Sequence, residues 1–486
     1  MIYKLRPYQE ECVKSISDYI NSDRHDPVLI VGPVGCGKSL LIAEAARLMG
    51  DKTLILQPSK ELLQQNHNKI TSYGIPATIY SASCGKKELS NMIYATLGSI
   101  KKVVGQLKEM GIRNVLIDEA HAGYSPEDGS EFMTFMNELK PKKVIGFTAT
   151  PCRLKTMSIG QVSYSQLNFI TRMRPVYFKN LIHVIQVEEM IRQGFWTPLK
   201  YETWDFNGDA LKLNSNGSEY TAESISEAVR KNGLNNLILR RLMVLKDVCR
   251  SILVFMDSVE SCNTAAEWMN AKICAGMAEV VHGGTPKKQR EAIVEGFKSG
   301  KTKVVFNYSA LGTGFDHPGL DCVIVGRPTF SFSSFYQWLG RAVRIKDGKD
   351  SALVVDCCNN SSRFGDIRKL SIENYKGYGW GMFIGDKLIT NIPMGDKVTK
   401  IDLDIKAAKK DRRRGLAQGV TAAPVPGRPD HPLGSTVMTF GKYCGWMFRS
   451  IPVSYFKFIN ETFDWDNDRN KDIKEYIDFL IKNNRL

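Results

Sequence analysis

The sequence lacks the closely spaced cysteines and histidines from which metal centres and disulfide frameworks are built. Its 486 residues include eleven cysteines and seven histidines, yet no Cys-x-x-Cys occurs, and the one close pair is Cys357 with the adjacent Cys358. Structural zinc sites and iron–sulfur clusters need such spacing. We therefore expect no zinc, no iron–sulfur cluster, and reduced thiols in a reducing compartment.

Long apolar runs are also missing. No uninterrupted apolar stretch reaches the length of a membrane-spanning helix, and residues 1–10 do not contain the apolar core of a signal peptide. The composition, 43% hydrophobic and 24% charged, is that of a globular protein able to bury a core. We expect a protein with no membrane partner and a cytoplasmic location.

Negative charge is in deficit. The chain has 51 acidic residues against 66 lysines and arginines, which gives a formal net charge of +15. Such an excess favours a polyanionic partner, because a lysine or arginine placed at a phosphate releases condensed counterions. Many soluble proteins are simply basic, so charge alone leaves both interpretations open.

Short apolar runs recur along the chain in two sets. The first set comprises 28–31, 53–56, 115–117 and 144–147, and the second comprises 251–255, 304–307, 322–325 and 352–355. Runs of this length separated by helical patterns are typical of parallel sheets covered on both faces. We predict an α/β unit at 1–165, a connector at 166–233, a second α/β unit at 234–375, a basic and Pro-rich linker region at 376–434 and a small α+β module at 435–486.

A glycine-rich loop follows the first apolar run. Residues 32–39 read Gly-Pro-Val-Gly-Cys-Gly-Lys-Ser and fit the pattern GxxxxGK[ST]. Glycines allow such a loop to wrap around phosphates, so that backbone N–H groups face them at a helix N-terminus. Lys38 is expected to neutralise the β- and γ-phosphates of ATP, and Ser39 to coordinate Mg²⁺. The predicted ATP-binding residues of this loop are Gly32, Gly35, Cys36, Gly37, Lys38 and Ser39.

Two adjacent acids follow another apolar run. Asp118 and Glu119 come directly after residues 115–117, and the carboxyl end of a buried parallel strand faces the crevice in which ligands bind. We expect Asp118 to hold Mg²⁺ and Glu119 to act as the general base on the attacking water. Two neighbouring acids also occur on ordinary loops, so the prediction depends on the phosphate loop.

Taken in order, the motifs of the first unit resemble those of superfamily 2 helicases and translocases of the DEAH type. The segments LRPYQ (5–9), DEAH (118–121) and TATP (148–151) match that family. The resemblance implies two tandem RecA-like lobes with doubly wound parallel sheets, followed by the small C-terminal module. It assigns ATP contacts to Arg6 and Gln9, catalysis to His121, and the coupling of hydrolysis to strand binding to Thr148 and Thr150.

The second unit continues the resemblance. The segment 312–318 (GTGFDHP) resembles the family's GxDxP motif, and 337–344 (QWLGRAVR) fits QxxGRxxR. This implies ATP contacts from Gly314 and Asp316, and catalytic roles for Gln337, Arg341 and Arg344, with Arg344 as the arginine finger. A guanidinium stabilises charge on the phosphoryl oxygens only when the lobes close, so hydrolysis and lobe movement should be one coupled event.

Other segments resemble the nucleic-acid contacts of the family. Residues 57–62 (QPSKEL) are similar to the motif that contacts the backbone, and Thr96 to Ser99 lie where a second contact is expected. The implied nucleic-acid-binding residues are Pro58, Ser59, Lys60, Thr96, Ser99, His282 and Thr313.

The combination of LRPYQ, DEAH and GFDHP looks most like the DNA-directed members, phage-type branch-migration helicases among them. It implies an ATP-dependent DNA helicase that remodels forked or branched DNA. The oligomeric state is left open, with a monomer favoured. A duplex DNA translocase without unwinding, an RNA helicase and an ATP-gated DNA-binding module are the alternatives. The segment FGKYCG (440–445) is similar to a small module of phage and bacterial proteins, and a phage-encoded protein would act in the host cytoplasm.

Overall fold

In a computed structural model of the chain, the residues described are 4–50, 52–159, 162–311, 315–394, 396–407, 432–436, 438, 443, 447–451, 453–462 and 471–483. The chain divides into two compact units. The first comprises Met1–Tyr375 and Gly379–Thr399, and the second comprises Lys376–Tyr378 and Lys400–Leu486. Both predicted lobes belong to the first unit.

Lobe 1 is built on an eight-stranded sheet. Its strands are β1 (Val28–Val31), β2 (Thr53–Leu56), β3 (Thr78–Ser81), β4 (Lys86–Lys87), β5 (Met92–Ala95), β6 (Asn114–Ile117), β7 (Lys143–Thr148) and β10 (Asn180–Val184). The order is β10-β1-β7-β6-β2-β5-β3-β4, and only β4 runs antiparallel to its neighbour. The four strands predicted for this lobe are confirmed. All four are buried along their whole length, which explains their continuous apolar sequences.

Helices cover the sheet of lobe 1. They are α1 (Pro7–Asn21), α2 (Lys38–Met49), α3 (Lys60–Ser72), α4 (Leu97–Ile100), α5 (Val104–Glu109), α6 (Glu131–Leu139) and α7 (Val187–Arg192). The serines before α3 and α6 cap them, since Ser59 and Ser130 each accept a hydrogen bond from a backbone N–H of the first turn. The predicted helix at 38–49 is α2, and it places the phosphate loop between β1 and its own first turn.

Lobe 2 has a six-stranded sheet that is parallel throughout, as predicted. Its strands are β11 (Leu199–Thr203), β12 (Ile252–Phe255), β13 (Ala278–His282), β14 (Val304–Tyr308), β15 (Cys322–Val325) and β16 (Ala352–Asp356), in the order β11-β16-β15-β12-β14-β13. Its helices are α8 (Ala222–Lys231), α9 (Leu234–Val248), α10 (Val259–Lys272), α11 (Lys287–Ser299), α12 (Phe332–Leu339) and α13 (Asn360–Phe364). Helix α12 leads directly into residues 340–344.

The segment expected to connect the lobes contributes a strand to each of them. Strand β10 pairs with β1 at the edge of the first sheet, and β11 pairs with β16 at the edge of the second. Both edge strands are only partly buried. Their sequences therefore carry no continuous apolar run by which a strand could be recognised.

Antiparallel structure supplements the two lobes. Strands β8 (Cys152–Ile159) and β9 (Val162–Phe169) form a hairpin directly after lobe 1's TATP segment. Beyond lobe 2, β17 (Leu370–Tyr375), β18 (Gly379–Ile384), β19 (Lys387–Leu388) and β20 (Val398–Thr399) form a four-stranded sheet, so the first part of the expected linker is folded. This sheet contacts lobe 1, because the Gln186 amide exchanges two hydrogen bonds with the backbone of Ile372.

The second unit has a small core of its own. Its described residues include α14 (Val453–Thr462) and α15 (Lys471–Lys482), which bury Phe448 and Phe456 among aliphatic residues, whereas Phe458 is exposed. Some aromatics of this region are therefore core residues. The FGKYCG segment lies largely outside the described residues. Among the helices that the structure describes, none is both long and apolar enough to cross a membrane.

Lys143 connects α1 to the sheet of lobe 1. It is buried at the start of β7, and its ammonium donates hydrogen bonds of 2.9, 2.7 and 2.6 Å to the carbonyls of Tyr19, Ser22 and Arg24 at the end of α1. A cation at a helix C-terminus also complements the helix dipole. This contact fixes the end of the helix whose first turn holds Gln9.

We predict that Lys143→Met destabilises lobe 1, because three buried or half-buried carbonyls each lose a donor. The loss should be about 2–3 kcal/mol, which lowers the melting temperature by several degrees. Thermal unfolding followed by circular dichroism measures it, with the exposed neighbour Lys142→Met as the matched control. Equal melting temperatures for the two variants would show that the carbonyls do not depend on Lys143.

Candidate active site

A cleft of about 560 Å³ separates lobe 1 from lobe 2 and is lined by both. Predicted site residues that line it are Arg6, Gln9, Gly35, Gly37, Lys38, Ser39, Asp118 and Glu119 from lobe 1, and Asp316, Gln337, Arg341 and Arg344 from lobe 2. The fold thus brings most of the predicted ATP-site residues to one place. A second cavity of about 370 Å³, beside Arg250 and Lys298 of lobe 2, contains none of the predicted site residues.

The phosphate loop has the backbone that its glycines allow. Gly35 and Gly37 both have φ of +83°, in the left-handed region. A Cβ added at Gly37 would lie 2.6 Å from Nε2 of Gln9, and one at Gly32 would lie 2.7 Å from Sγ of Cys36. The Cys36 side chain is buried beneath the loop. Its predicted contribution to nucleotide binding is therefore confined to the backbone.

The first turn of α1 anchors this loop. The Gln9 amide donates a 2.9 Å hydrogen bond to the carbonyl of Cys36 and accepts one of 3.0 Å from the Arg6 N–H. The Tyr8 hydroxyl also donates to the Cys36 carbonyl, at 3.2 Å. The guanidinium of Arg6 lies 4.6 Å from the ring centre of Phe195, an aromatic at the cleft that we did not predict. Gln9 thus anchors the phosphate loop through its side-chain amide, in addition to its predicted contact with ATP.

Three charged groups meet under the loop. Lys38 Nζ lies 2.9 Å from Glu119 Oε1. Burial alone would lower the pKa of Lys38, but the Glu119 and Asp118 carboxylates raise it. Burial alone would raise the pKa of Glu119, but Lys38 and the nearby His121 hold it well below its usual range. Burial and the Glu119 charge raise the pKa of Asp118. Glu119 is therefore the ionised partner of Lys38, while Lys38 offsets only part of the rise in the pKa of Asp118.

The residues predicted to hold Mg²⁺ are linked by an amide. Asn66 on α3 accepts a 2.6 Å hydrogen bond from the Ser39 hydroxyl and donates one of 2.9 Å to Oδ2 of Asp118. A hydroxyl and a buried carboxylate in need of positive charge are hard oxygen donors of the kind Mg²⁺ prefers, so these residues fit the ion. Sequence reasoning missed Asn66, which lies six residues beyond the predicted contact Lys60 and fits no motif.

Lobe 2 presents two arginines to the cleft. Arg344 forms an ion pair with Asp316, and Arg341 donates a 2.6 Å hydrogen bond to the carbonyl of Phe315. Burial lowers the pKa of each guanidinium to about 10, which leaves both charged at neutral pH. Both predicted catalytic arginines are thus held by the 315–316 segment. Gly314, Thr313 and Gly312, which precede it, lie outside the described residues.

The two lobes touch at the phosphate loop itself. A Cβ at Gly340 would lie 2.5 Å from a methyl group of Val34, so only glycine allows this approach. The Trp196 indole donates a 2.8 Å hydrogen bond to the carbonyl of Val34, and the N–H of Thr197 donates to the carbonyl of Val343. Residues 196–197 therefore link the phosphate loop to the arginine-bearing segment. No sequence motif indicated this role.

The remaining lobe 1 motifs form one hydrogen-bonded group behind Glu119. Nδ1 of His121 lies 2.8 Å from the Thr148 hydroxyl and 3.3 Å from Oε2 of Glu119. Nε2 of His121 lies 3.1 Å from the hydroxyl of Ser333, which is also 3.1 Å from the Thr150 hydroxyl. Ser333 belongs to α12 of lobe 2 and was not predicted.

Among the described residues, the predicted nucleic-acid contacts do not line the cleft, and Thr313 lies outside the described residues. Residues 58–60 follow β2, Thr96 follows β5, and His282 ends β13, so they share the carboxyl ends of parallel strands. The Thr96 hydroxyl donates to Ser99, and His282 accepts a hydrogen bond from Gly284 N–H. These contacts are local, and a role in binding nucleic acid stays a prediction.

Comparison with protein families matches both lobes. Residues 2–153 match the model described as type III restriction enzyme, res subunit, and residues 235–346 match the helicase conserved C-terminal domain. Together these ranges cover slightly more than half of the chain. They contain the phosphate loop and the two arginines respectively.

Individual relatives are distant. A 51.5 kDa protein of a Lactococcus phage is 25% identical and aligns with 68% of this chain and 65% of its own length. The putative ATP-dependent helicase IRC3 of Saccharomyces cerevisiae is 24% identical, over 57% of this chain and 38% of that protein. The chain thus spans less than two thirds of the length of these two relatives.

Solved structures share the fold. The type ISP restriction-modification enzyme LlaBIII bound to DNA matches 73% of this chain and 28% of its own, with a TM-score of 0.54 at 16% identity. A putative HsdR subunit of a type I restriction enzyme from Vibrio vulnificus matches 74% of this chain and 65% of its own, with a TM-score of 0.53 at 17% identity. These likenesses confirm two RecA-like lobes.

We predict that Asn66→Ala weakens Mg²⁺ binding, because Ser39 and Asp118 lose the amide that orients them. The Mg²⁺ concentration for half-maximal ATP hydrolysis should rise about tenfold or more, the usual effect of losing such a supporting contact. The measurement is a Mg²⁺ titration at fixed ATP. Asn68→Ala, on the exposed face of the same helix, is the control, and identical titrations for the two variants would refute a role for Asn66.

Proposed function

We propose that this chain hydrolyses ATP to drive movement on DNA, and its family is the premise: the chain belongs to superfamily 2 of the helicases. The observation that carries the proposal is the shared cleft. Lys38 and Glu119 from lobe 1 face Arg341 and Arg344 from lobe 2 across one cavity. A site completed by two lobes makes the reaction depend on their closure.

The Lys38–Glu119 ion pair supplies the first step of the mechanism. The phosphates of ATP attract Lys38, which then shares its charge between them and Glu119. As the ammonium is drawn away, the pKa of Glu119 rises from its depressed value, and the carboxylate becomes a better base for the attacking water. Ser39 and Asp118 would hold Mg²⁺, which would supply positive charge to neutralise the phosphoryl oxygens.

The arginines complete the site from lobe 2. Negative charge grows on the equatorial phosphoryl oxygens during transfer, and a guanidinium placed there stabilises it. Arg344 is our choice for the finger, since its carboxylate partner Asp316 lies in the same cleft and can hold the side chain until phosphate competes for it. Arg341 is hydrogen-bonded to the Phe315 carbonyl, and its guanidinium adds positive charge on the same side of the cleft.

The proposed substrate is DNA, in forked or branched form. Two relatives carry names of this class: ATP-dependent DNA helicase Hel308 of Pyrococcus horikoshii, 25% identical, and the DNA 3'-5' translocase XPB2 of Sulfurisphaera tokodaii, 24% identical. The net charge of +15 supports a polyanionic partner. The DEAH assignment and branch migration rest on the motifs alone. A cytoplasmic place of action rests on the missing apolar runs, and the oligomeric state is left open with a monomer favoured.

Translocation along duplex DNA without strand separation is the second candidate. It is favoured by the match of residues 2–153 to a restriction-enzyme subunit and by the translocase among the relatives. An RNA helicase and an ATP-gated binding module are weaker alternatives. The gated module is the least favoured, because a switch that only binds nucleotide has no need of a general base facing two arginines.

We predict that Glu119→Gln separates a motor from a switch. The variant should bind ATP as tightly as the wild type or more tightly, since Lys38 loses its competing carboxylate, while turnover falls by about 10²–10⁴-fold. Binding of a fluorescent ATP analogue, phosphate release and displacement of a protein block from DNA are measured together. Lys38→Ala should lose ATP binding itself. Displacement that continues without turnover would contradict the motor.

We predict that forked or branched DNA stimulates hydrolysis more than other nucleic acids do. Steady-state ATP hydrolysis is measured at one salt concentration with no nucleic acid, single-stranded DNA, linear duplex, forked DNA and RNA, and Lys38→Ala serves as the blank. A duplex as effective as the fork would replace the proposal by duplex translocation. Stimulation by RNA alone would overturn the choice of DNA.

A further inference from the structure

We propose that Ser333 is a positioning residue by which lobe 2 orients His121 and, through it, the catalytic carboxylate of Glu119. The proposal rests on the proposed function, because it concerns the same hydrolysis. Ser333 lies outside the QxxGRxxR segment, and its hydroxyl reaches two lobe 1 side chains, Nε2 of His121 and Oγ1 of Thr150, both at 3.1 Å. It is therefore a direct polar link between α12 and the DEAH and TATP segments.

Helix α12 places Ser333 in register with the rest of the site. Residues 333, 337 and 340 are spaced i, i+4 and i+7, so they share one face of the helix and its end. On this face Gln337 lines the cleft and Gly340 packs on Val34 of the phosphate loop. The opposite side is fixed in the core of the first unit by Phe335 and Leu339. Any rotation of α12 moves all three contacts together.

The Glu119 carboxylate selects one direction for the hydrogen bonds around His121. Oε2 of Glu119 can only accept, and the Thr148 hydroxyl, which accepts from the N–H of Thr150 at 3.0 Å, can accept a second hydrogen bond. Nδ1 of His121 faces both oxygens, and a proton on Nδ1 avoids placing a lone pair of the ring against the carboxylate. In the neutral ring Nε2 is left as an acceptor, and the Ser333 hydroxyl donates to it while accepting from Thr150. The network assigns the Nδ1–H tautomer.

The hydrogen bond donated by the Ser333 hydroxyl gives this residue a role beyond packing. The donated hydrogen bond fixes both the tautomer and the ring plane of His121, whose side chain is 9% exposed. Oε2 of Glu119 has no hydrogen-bond partner that meets the usual geometry among the described residues, and Nδ1 of His121 lies 3.3 Å from it. The orientation of that carboxylate oxygen thus depends on a ring that lobe 2 holds in place. When the lobes separate, the hydrogen bond between Ser333 and His121 breaks. The Glu119 carboxylate is then no longer held in its orientation.

The experiment compares Ser333→Ala with Ser333→Thr in the full chain, with the nucleic acid that stimulates the wild type most. We expect kcat of Ser333→Ala to fall about tenfold, the worth of one hydrogen bond at a positioned group, while KM for ATP and the melting temperature stay as in the wild type. Ser333→Thr keeps the hydroxyl and should restore most of kcat. Ser334→Ala, whose hydroxyl bonds only within the turn to Ser331, is the matched control.

A double-mutant cycle with His121→Ala tests the route. If Ser333 acts through His121, adding Ser333→Ala to His121→Ala lowers kcat no further. Additive losses, a Ser333→Thr variant as slow as Ser333→Ala, or an unchanged kcat in Ser333→Ala would each overturn the proposal. A wild type without nucleic-acid-stimulated hydrolysis would instead overturn the proposed function, so the two failures are distinct.

Discussion

The close contact between Gly340 and Val34 sets the distance between the two lobes. This distance determines whether the arginines of lobe 2 reach the cleft of lobe 1. With no side chain at position 340, the segment that carries Arg341 and Arg344 lies directly on the phosphate loop. A methyl group there would sit 2.5 Å from Val34 and push the lobes apart. The guanidinium groups would then withdraw from the cavity that Lys38 and Glu119 face. The missing side chain at Gly340 therefore allows residues of both lobes to line a single cleft.

Much of the site was predictable because many of its residues belong to short sequence motifs. The phosphate loop needs glycines at fixed positions, and Gly35 and Gly37 do adopt left-handed backbone. Buried parallel strands leave continuous apolar runs, so four strands of each sheet were predicted, although β5, which is also buried throughout, was not. The acids Asp118 and Glu119 follow from the rule that ligands gather at the carboxyl ends of such strands. In each case a local constraint on the backbone is visible in the local sequence.

The parts that escaped prediction are contacts between distant segments. Asn66, Trp196 and Ser333 are ordinary residues of a helix, a loop and a helix, and each acts on a partner far along the chain. Nothing in their own neighbourhood distinguishes them from a solvated amide, a core aromatic or a surface hydroxyl. Edge strands such as β10 and β11 were missed for a related reason, since half-exposed strands need no apolar run. Only the tertiary fold reveals these roles.

The kinds of contact between the lobes fit a site that opens and closes. Described polar links across the interface include the hydroxyl bonds of Ser333 and the Trp196 indole bond to a carbonyl. Neutral hydrogen bonds are worth only about 1 kcal/mol each once water replaces them, so breaking them every cycle costs little. The strong ion pairs lie within a lobe instead: Lys38 with Glu119, and Arg344 with Asp316. Each pair keeps its charges partnered while the lobes are apart. Phosphate can then draw Lys38 and Arg344 toward itself from opposite sides, and the nucleotide becomes the strongest link between the lobes.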